Sequence, residues 1–583
     1  MANEYVLAST RMKMLTILSY SFLILALIYL FIYSPAKGYE ISIYSAILPF
    51  WVLIFIAISI GVVSLLYMVQ LKKYNGFGYI FLVLMLCFFI VFALPVIRGY
   101  VLYGANDPYG HYTRILDILS SGHTGDNYYP IGHIIAAELS SIPSISANDT
   151  AMLIAPIFSI IFILFTYYLA RAVFNREDYA IMAAVIGLIP LFSYYQVTIY
   201  PHALAIFLLP IIFYLYFKSV KEPNYRLIFV IAIILEAFVH VIPSLVIIGA
   251  IVSAEIIKYI LIKTNIKMTT PVSFFPAIIS FMVFFTWWSS YTVFDQVEKT
   301  YLWFAGEVET IPRTTEVETV SQSGWQFTVE LYSKMYGNQL VLTVIAVLSM
   351  LIILVYVLRK KEDLSNALIL SGILLASAMI YIFVFLSGSF ITVGRLFGAN
   401  YGVWAMPVVS AFLFAKLNTS KIKLFIIAAV IILLIAVGTL GIYRSDWIYQ
   451  PNWQITSQDM TAYNWKNEHG SGMVGSGVMG SPWGKLPTGS YVGSQYALIP
   501  YHFGYDINHK LGDFLIKDTI IYYGESRQRQ ASNNAVLTNS SLGNTWALPG
   551  FDNADFDKLN YDNSVNFIYS GGEVNILFVR SPN

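Results

Sequence analysis

The sequence predicts a polytopic α-helical membrane protein that carries a smaller mixed α/β domain at its carboxyl-terminal end. Three observations lead there. Of the 583 residues, 57% are hydrophobic and only 11% are charged, whereas a soluble domain carries about 25% charged residues. Apolar runs of bilayer-spanning length recur up to residue 442, and the mean hydropathy is +0.67. Beyond Tyr443 these runs stop, and Gly, Ser, Asn and Asp become frequent.

Hydropathy marks about thirteen spans. They lie near 15–33, 44–70, 77–98, 150–172, 178–199, 202–217, 226–241, 243–262, 271–290, 338–358, 364–386, 396–416 and 423–442. The first follows Arg11 and Lys13. It is long for the apolar part of a signal peptide and lacks a small-residue cleavage site, so a retained helix is expected. Basic residues then recur after alternate hairpins, at Lys72/Lys73, Arg171/Arg176, Lys218/Lys221/Arg226, Lys258/Lys263/Lys267, Arg359/Lys360/Lys361 and Lys416/Lys421/Lys423. All six groups share one side if the amino terminus is cytoplasmic. The expected organisation is a transmembrane domain over 1–442 in the plasma membrane, with external loops at 99–149 and 291–337. A soluble extracytoplasmic domain follows over 443–583. In that tail, "DTIIYY" and "VNILFVR" read as strands, and "SQDMTAYNWKNEHG" reads as a helix closed by Gly470.

Some functions are excluded at this level. A net charge of +1 gives no basic field for nucleic acid. The single cysteine, Cys87, allows neither an internal disulfide nor a cysteine metal cluster.

The first external loop concentrates chemistry. "GANDPYGHYTRILDILSSGH" holds two aspartates, two histidines and an arginine in twenty residues. Asp107-Pro108 reads as a helix start, since Asp favours the cap and Pro the first turn. His111, Arg114 and Asp117 then share one face, while Tyr112, Ile115, Leu116 and Leu119 fill another. An amphipathic helix at the outer interface, with Asp107 as no more than its cap and a solvated polar face, accounts for this pattern on local grounds. A second patterned stretch, "DNYYPIGHII", follows at once.

Together the two stretches resemble the first external loop of the catalytic subunit of oligosaccharyltransferases, the archaeal ones especially. More broadly they resemble the GT-C superfamily of polytopic glycosyltransferases. Asp107, His111 and Arg114 match the helix of that motif, and Tyr128, Tyr129, Pro130 and Gly132 its second half. The resemblance implies a GT-C-like fold and a donor sugar carried on a polyprenyl phosphate. It also implies a catalytic role for Asp107 and transfer with inversion. "VTIYPHALAIFLLP" is similar to the stretch that holds the family's second metal pair; His202 matches, and Tyr200 stands where a carboxylate would be. "VETVSQSGW" is similar to a Thr-x-Ser-Glu stretch, with Gln322 in place of the glutamate. "GRLFGANYGVWAMPVVSAF" is similar to the span whose arginine faces the donor phosphate, which implies that role for Arg395. The family's Trp-Trp-Asp-Tyr-Gly motif, which reads the acceptor sequon, is absent from the tail.

Sugar transfer from a lipid phosphate needs positive or hydrogen-bonding groups on the departing phosphate. Arg395 and Arg114 are the expected pair; for Arg395 an interfacial anchor is the alternative. A carboxylate must polarise the acceptor, and Asp107 is the candidate. Asp107 acts alone or through a divalent cation, Mg²⁺ or Mn²⁺, with His202 as second ligand; both remain open. Glu236 and His240 fall four apart inside an expected span, with His240 nearer the outer face, as a wall of the site or a structural pair. Substrate contacts are expected from His111, Tyr128, Tyr129, His240 and Gln322. "TWWSSYTVF" reads as an interfacial aromatic belt or as a sugar-stacking surface.

The expected activity is transfer of a sugar from a polyprenyl-phosphate donor to an extracytoplasmic glycan, lipid or protein. Transfer to asparagine is the near alternative. A non-catalytic transporter, flippase or assembly subunit is the distant one; such proteins favour broken helices and ionisable groups at mid-membrane.

Overall fold

A computed structural model describes residues 2–104, 107–143, 145–264, 266, 272–289, 325–359, 363–386, 400–469, 473–476, 496–507, 509–538 and 551–582. Among them, eight helices are long and apolar enough to cross a membrane: Thr10–Tyr33, Leu48–Leu71, Ala147–Phe174, Pro201–Ser219, Val241–Lys263, Val329–Leu358, Ser365–Phe383 and Lys421–Leu440. Phe77–Phe92, Phe275–Trp288 and Met406–Leu417 are shorter apolar helices. The chain is a mostly helical, multi-pass membrane protein.

Five of the thirteen expected spans are shorter than a crossing helix among the described residues, and two of them break for local reasons. The stretch 178–199 forms a helix only over Glu177–Gly187, 11 residues or about 16 Å. Its continuation runs into Pro190 and a 3₁₀ turn at Ser193–Gln196, and nearly all of it is buried in protein. Its backbone is satisfied from inside: the Asn338 side chain donates to Pro190 O, and Ser193 Oγ donates to Gly441 O at 2.6 Å. Irregular backbone at membrane depth is tolerated where protein surrounds it. The stretch 226–241 is a helix only over Asn224–Ala237. It breaks at residues 238–240, where His240 caps the next helix. Hydropathy sees the apolar run but not the break. Residues 325–337, expected within the second external loop, are instead the opening turns of the helix Trp325–Leu358.

Four elements position the site. We call the helix Asp107–Ser121 α1, Pro130–Ser140 α2, Pro201–Lys221 α3 and Val241–Lys263 α4. Helix α1 buries Pro108, Tyr109, Tyr112 and Ile115 and leaves Arg114 exposed. The Tyr112 hydroxyl donates to Asn148 Oδ1 at 2.5 Å, which ties α1 to the start of the long helix Ala147–Phe174. Helix α2 begins at Pro130, whose missing N–H costs nothing in the first turn. It lies close against α3: a Cβ on Gly132 would come within 2.8 Å of Leu204 Cδ1.

The polypeptide just before α1 is held from the other end of the chain. Strand β1 (Leu102–Tyr103) pairs antiparallel with β2 (Gln454–Ile455). Val101 N–H donates to Ile455 O (3.0 Å) and Gly104 N–H to Trp453 O (3.1 Å). Beyond β2 lies a helix, Ser457–His469, and a five-stranded sheet. The sheet's centre is Thr519–Gly524, paired antiparallel with Val574–Val579 from Thr519↔Val579 to Gly524↔Val574. Both central strands are almost wholly buried. Apolar clusters pack on each face, one around Phe503, Leu511 and Phe556, the other around Ala462, Tyr522 and Ile576. The main core fills the space between the membrane helices.

Candidate active site

The segment ahead of α1 closes on itself before the helix starts. Gly104 adopts φ +136°, and a Cβ there would meet the Pro108 ring at 2.7 and 2.8 Å. Only glycine takes both the backbone angle and the close approach. The Tyr109 hydroxyl then donates back to Gly104 O at 2.7 Å. Asp107, half-buried, is thereby fixed as the first residue of α1. His111 stands one turn later on the same face.

His111 Nδ1 lies 3.0 Å from His133 Nε2, on the first turn of α2. His133 is buried, and its Nδ1 lies 2.8 Å from Tyr129 O and 2.9 Å from Asn127 Nδ2. Burial pushes the His133 imidazole down to about 4; the Tyr129 carbonyl pulls the other way, and the Arg114 charge adds a smaller push downward. His133 is therefore neutral at physiological pH.

Rings from separated segments complete a closed circuit. The His111 ring meets Tyr200 edge-on at 6.2 Å between centroids, and Tyr200 and His202 lie 5.4 Å apart. His202 and His240 are 5.7 Å apart, and His240 stacks on Tyr129 at 4.6 Å and 17°. Tyr129 leads back to His133 through its carbonyl. Tyr200 precedes α3, His202 lies in its first turn, and His240 caps α4 with Nδ1 accepting from Ile242 N–H at 3.3 Å. The mouths of α3 and α4 thus meet the loop that carries α1 and α2.

Of the residues singled out in the sequence, His111, Tyr129, His202 and His240 come together here. Tyr128 packs edge-on against Tyr129 at 4.4 Å. Arg114 is exposed on α1. Arg395 and Gln322 lie outside the described residues. His240 and Glu236 are not a side-chain pair, because the helix ends between them. Glu236 is buried, and neither carboxylate oxygen has a hydrogen-bond partner among the described residues. Trp288 is fully buried against Tyr129 (5.6 Å) and Tyr128 (6.1 Å), so it is a wall behind the tyrosines and not part of an interfacial belt.

The sequence reading missed His133, Asn127 and the packing role of Tyr200. A signal for His133 was present: Pro130 opens a helix, which puts His133 one turn along from Tyr129, facing back to its carbonyl.

Asp107 and His202 offer one carboxylate and one imidazole. Among the described residues, the one group of three His or carboxylate ligand atoms within 4.8 Å of one another lies elsewhere, at His502, Asp552 and Asp555. Its atoms are engaged: Asp552 and Asp555 form a reciprocal helix cap, and His502 Nδ1 lies 2.9 Å from Asp555 Oδ2. Among the described residues, Asp107 and His202 are not joined by the third protein ligand that a Zn²⁺ site takes. The Asp107 carboxylate suits a Mg²⁺-type ion that also takes substrate phosphate oxygens, whereas the His202 imidazole is a softer ligand that suits Mn²⁺ better.

No family model matches the sequence, and no curated protein matches it. Three solved structures are similar in outline. Archaeoglobus fulgidus oligosaccharyltransferase in complex with Zn and sulfate is 14% identical, over 85% of this chain and 73% of its own, with a TM-score of 0.45. The same protein tethered to an acceptor peptide containing the NVT sequon is 13% identical, over 88% and 74%, with a TM-score of 0.46. ArnT from Cupriavidus metallidurans bound to undecaprenyl phosphate is 9% identical, over 86% and 98%, with a TM-score of 0.42. At such values the chemistry has to be argued from this chain's own residues.

Proposed function

We propose that the chain is an integral membrane glycosyltransferase of GT-C type. It would take a sugar from a polyprenyl-phosphate donor and transfer it, with inversion, to an extracytoplasmic glycan, lipid or protein. The observation that carries this reading is the convergence just described. His111, Tyr129, His202 and His240, marked by sequence pattern on four separate stretches, line one closed circuit beside the helix that Asp107 begins.

In this reading the acceptor's nucleophilic atom forms a bond to the anomeric carbon. The bond from that carbon to the phosphate oxygen breaks, and the electron pair leaves with the lipid phosphate. Asp107 polarises the acceptor and receives its proton. Arg395 and Arg114 face the developing phosphate charge. A divalent cation, held by Asp107 and His202, would supply further neutralisation of that charge when bound. Tyr128 and Tyr129, braced by Trp288, offer flat apolar faces to a sugar ring. The tail domain, 443–583, would brace the first loop and meet the acceptor.

The test uses the full chain in lipid vesicles and a panel of polyprenyl-phosphate sugars, with and without chelator, beside Asp107→Asn. Turnover of at least one donor that falls by roughly 100-fold or more in the variant is expected. No turnover of any donor by the unaltered chain, or equal turnover by the variant, would refute the assignment.

A further inference from the structure

The helix Asn224–Ala237 carries a buried acid in its last turn. Its buried stripe is Phe229, Ile233, Glu236 and Ala237. Its opposite face, with Leu227, Ile228, Ile231 and Leu235, is exposed and apolar, as suits lipid. Glu236 is only 1% exposed, and no donor among the described residues reaches either of its carboxylate oxygens. The neighbouring helices leave it no counter-charge. Phe275–Trp288 has no ionisable side chain. On α3 and α4 the lysines lie in the last turns, away from Glu236. Lys218 is already paired with Glu222 at 2.8 Å, and Lys258 with Glu255 at 2.7 Å. The titratable side chains at the near end are His202 and His240, and neither bonds to the Glu236 carboxylate. The positive end of α4 is taken up by His240 itself, whose Nδ1 accepts from Ile242 N–H.

Position in the helix adds a second constraint. The chain breaks just after Glu236, where Val239 and His240 N–H both donate to Glu236 O, at 3.0 and 3.3 Å. The last turn of a helix presents carbonyls short of helical donors, and its dipole opposes a negative charge. A buried carboxylate without counter-ion or donor is far costlier there than the neutral acid, whose O–H can donate to such a carbonyl. We propose that Glu236 is a proton-binding site: it keeps its proton at pH 7.5, and it is open to apolar carbodiimides from the lipid but not to charged ones from water. The modification balances without a further reactant. The acid's proton passes to one carbodiimide nitrogen, and its oxygen adds to the central carbon. The acyl group then moves from that oxygen to the other nitrogen, which gives an N-acylurea heavier by one whole carbodiimide. An ionised carboxylate would have to draw that proton from elsewhere. The glycosyltransferase reading above enters only where an effect on transfer is expected.

The experiment reads the proton directly. The full chain in lipid vesicles at pH 7.5 is compared by infrared spectroscopy with Glu236→Gln, with ¹³C-glutamate to mark the acid. The difference should contain the C=O band of a protonated carboxyl and no carboxylate bands. Dicyclohexylcarbodiimide should then add once at Glu236, located by peptide mass, while a charged, water-soluble carbodiimide leaves it unmodified. Both labelling arms use the unaltered chain, so they hold even where the Gln variant folds poorly. Carboxylate bands in the difference, no adduct from the apolar reagent, or equal labelling by the two reagents would overturn the proposal. With a donor that is turned over, the adduct four residues before His240 should lower transfer roughly tenfold or more, and transfer by Glu236→Gln should be indifferent to the reagent. Full labelling with transfer unchanged would sever Glu236 from the site. If no donor is turned over, the glycosyltransferase reading fails, while the band and the adduct still decide the proton.

Discussion

His133 shows how one buried side chain couples the loop to pH. Its imidazole is pushed down to about 4 from an ordinary 6.5. The unfolded chain therefore binds a proton there between about pH 6.5 and 4 that the folded chain does not. Stability falls as pH drops through that window and flattens below it, by up to roughly 3 kcal/mol. The thermal midpoint of the unaltered chain should drop more between pH 7 and 4.5 than that of His133→Gln; equal slopes would count against it. Gly104 is the other single point of dependence. Gly104→Ala would be strained at φ +136° and would drive Pro108 out of place. We expect a loss of about 1–3 kcal/mol and a marked fall in transfer, measured as thermal midpoint and turnover together.

At the scale of elements, the site stands on a tie of only two residue pairs. The β1–β2 ribbon holds the entry to α1, and Val101 N–H and Gly104 N–H flank it with bonds to the segment after the last membrane helix. Val101→Pro deletes one of these donors. It should lower transfer more than global stability, visible as faster hydrogen exchange over 99–115 with a nearly unchanged midpoint. None of this tie was legible in the sequence, because two-residue strands have no periodicity to read and their partner lies some 350 positions away. The helix α1 was legible, since Asp107-Pro108 is a local start signal and its apolar face repeats at helical spacing. His240 was legible as an ionisable group near a helix mouth, but not as a cap, because the break at 238–240 lies inside an unbroken apolar run. The side-chain circuit from His111 through His240 depends on tertiary approach and could be guessed only by resemblance.

Across the whole molecule, the carboxyl-terminal sheet region is organised by buried polar groups and joined to the first connection at Tyr39. Arg527 donates to Asp459 Oδ2 (3.0 Å) and Gln454 O (2.6 Å) and lies over the Tyr39 ring at 5.2 Å. Asp459 also accepts from Thr456 N–H at 2.9 Å. Tyr39 N–H donates to Glu573 Oε1 at 2.6 Å, which joins the first connection to the last hairpin. Arg527→Met would strand Asp459 without its charge partner, at a cost of about 3–5 kcal/mol. Adding Asp459→Asn should restore part of the loss, and thermal midpoints of the two variants decide it.

The ribbon between residues 102–103 and 454–455 also has a consequence for how the protein is made. A ribosome releases the first loop early, yet the partner strand leaves the exit tunnel only after all the membrane helices have been synthesised. Until then the loop has no clasp, and Asp107 has no fixed station. In the proposed function, competence for transfer would arrive as a late step of biogenesis, and a premature stop codon between codons 441 and 454 would yield inserted but inert chains.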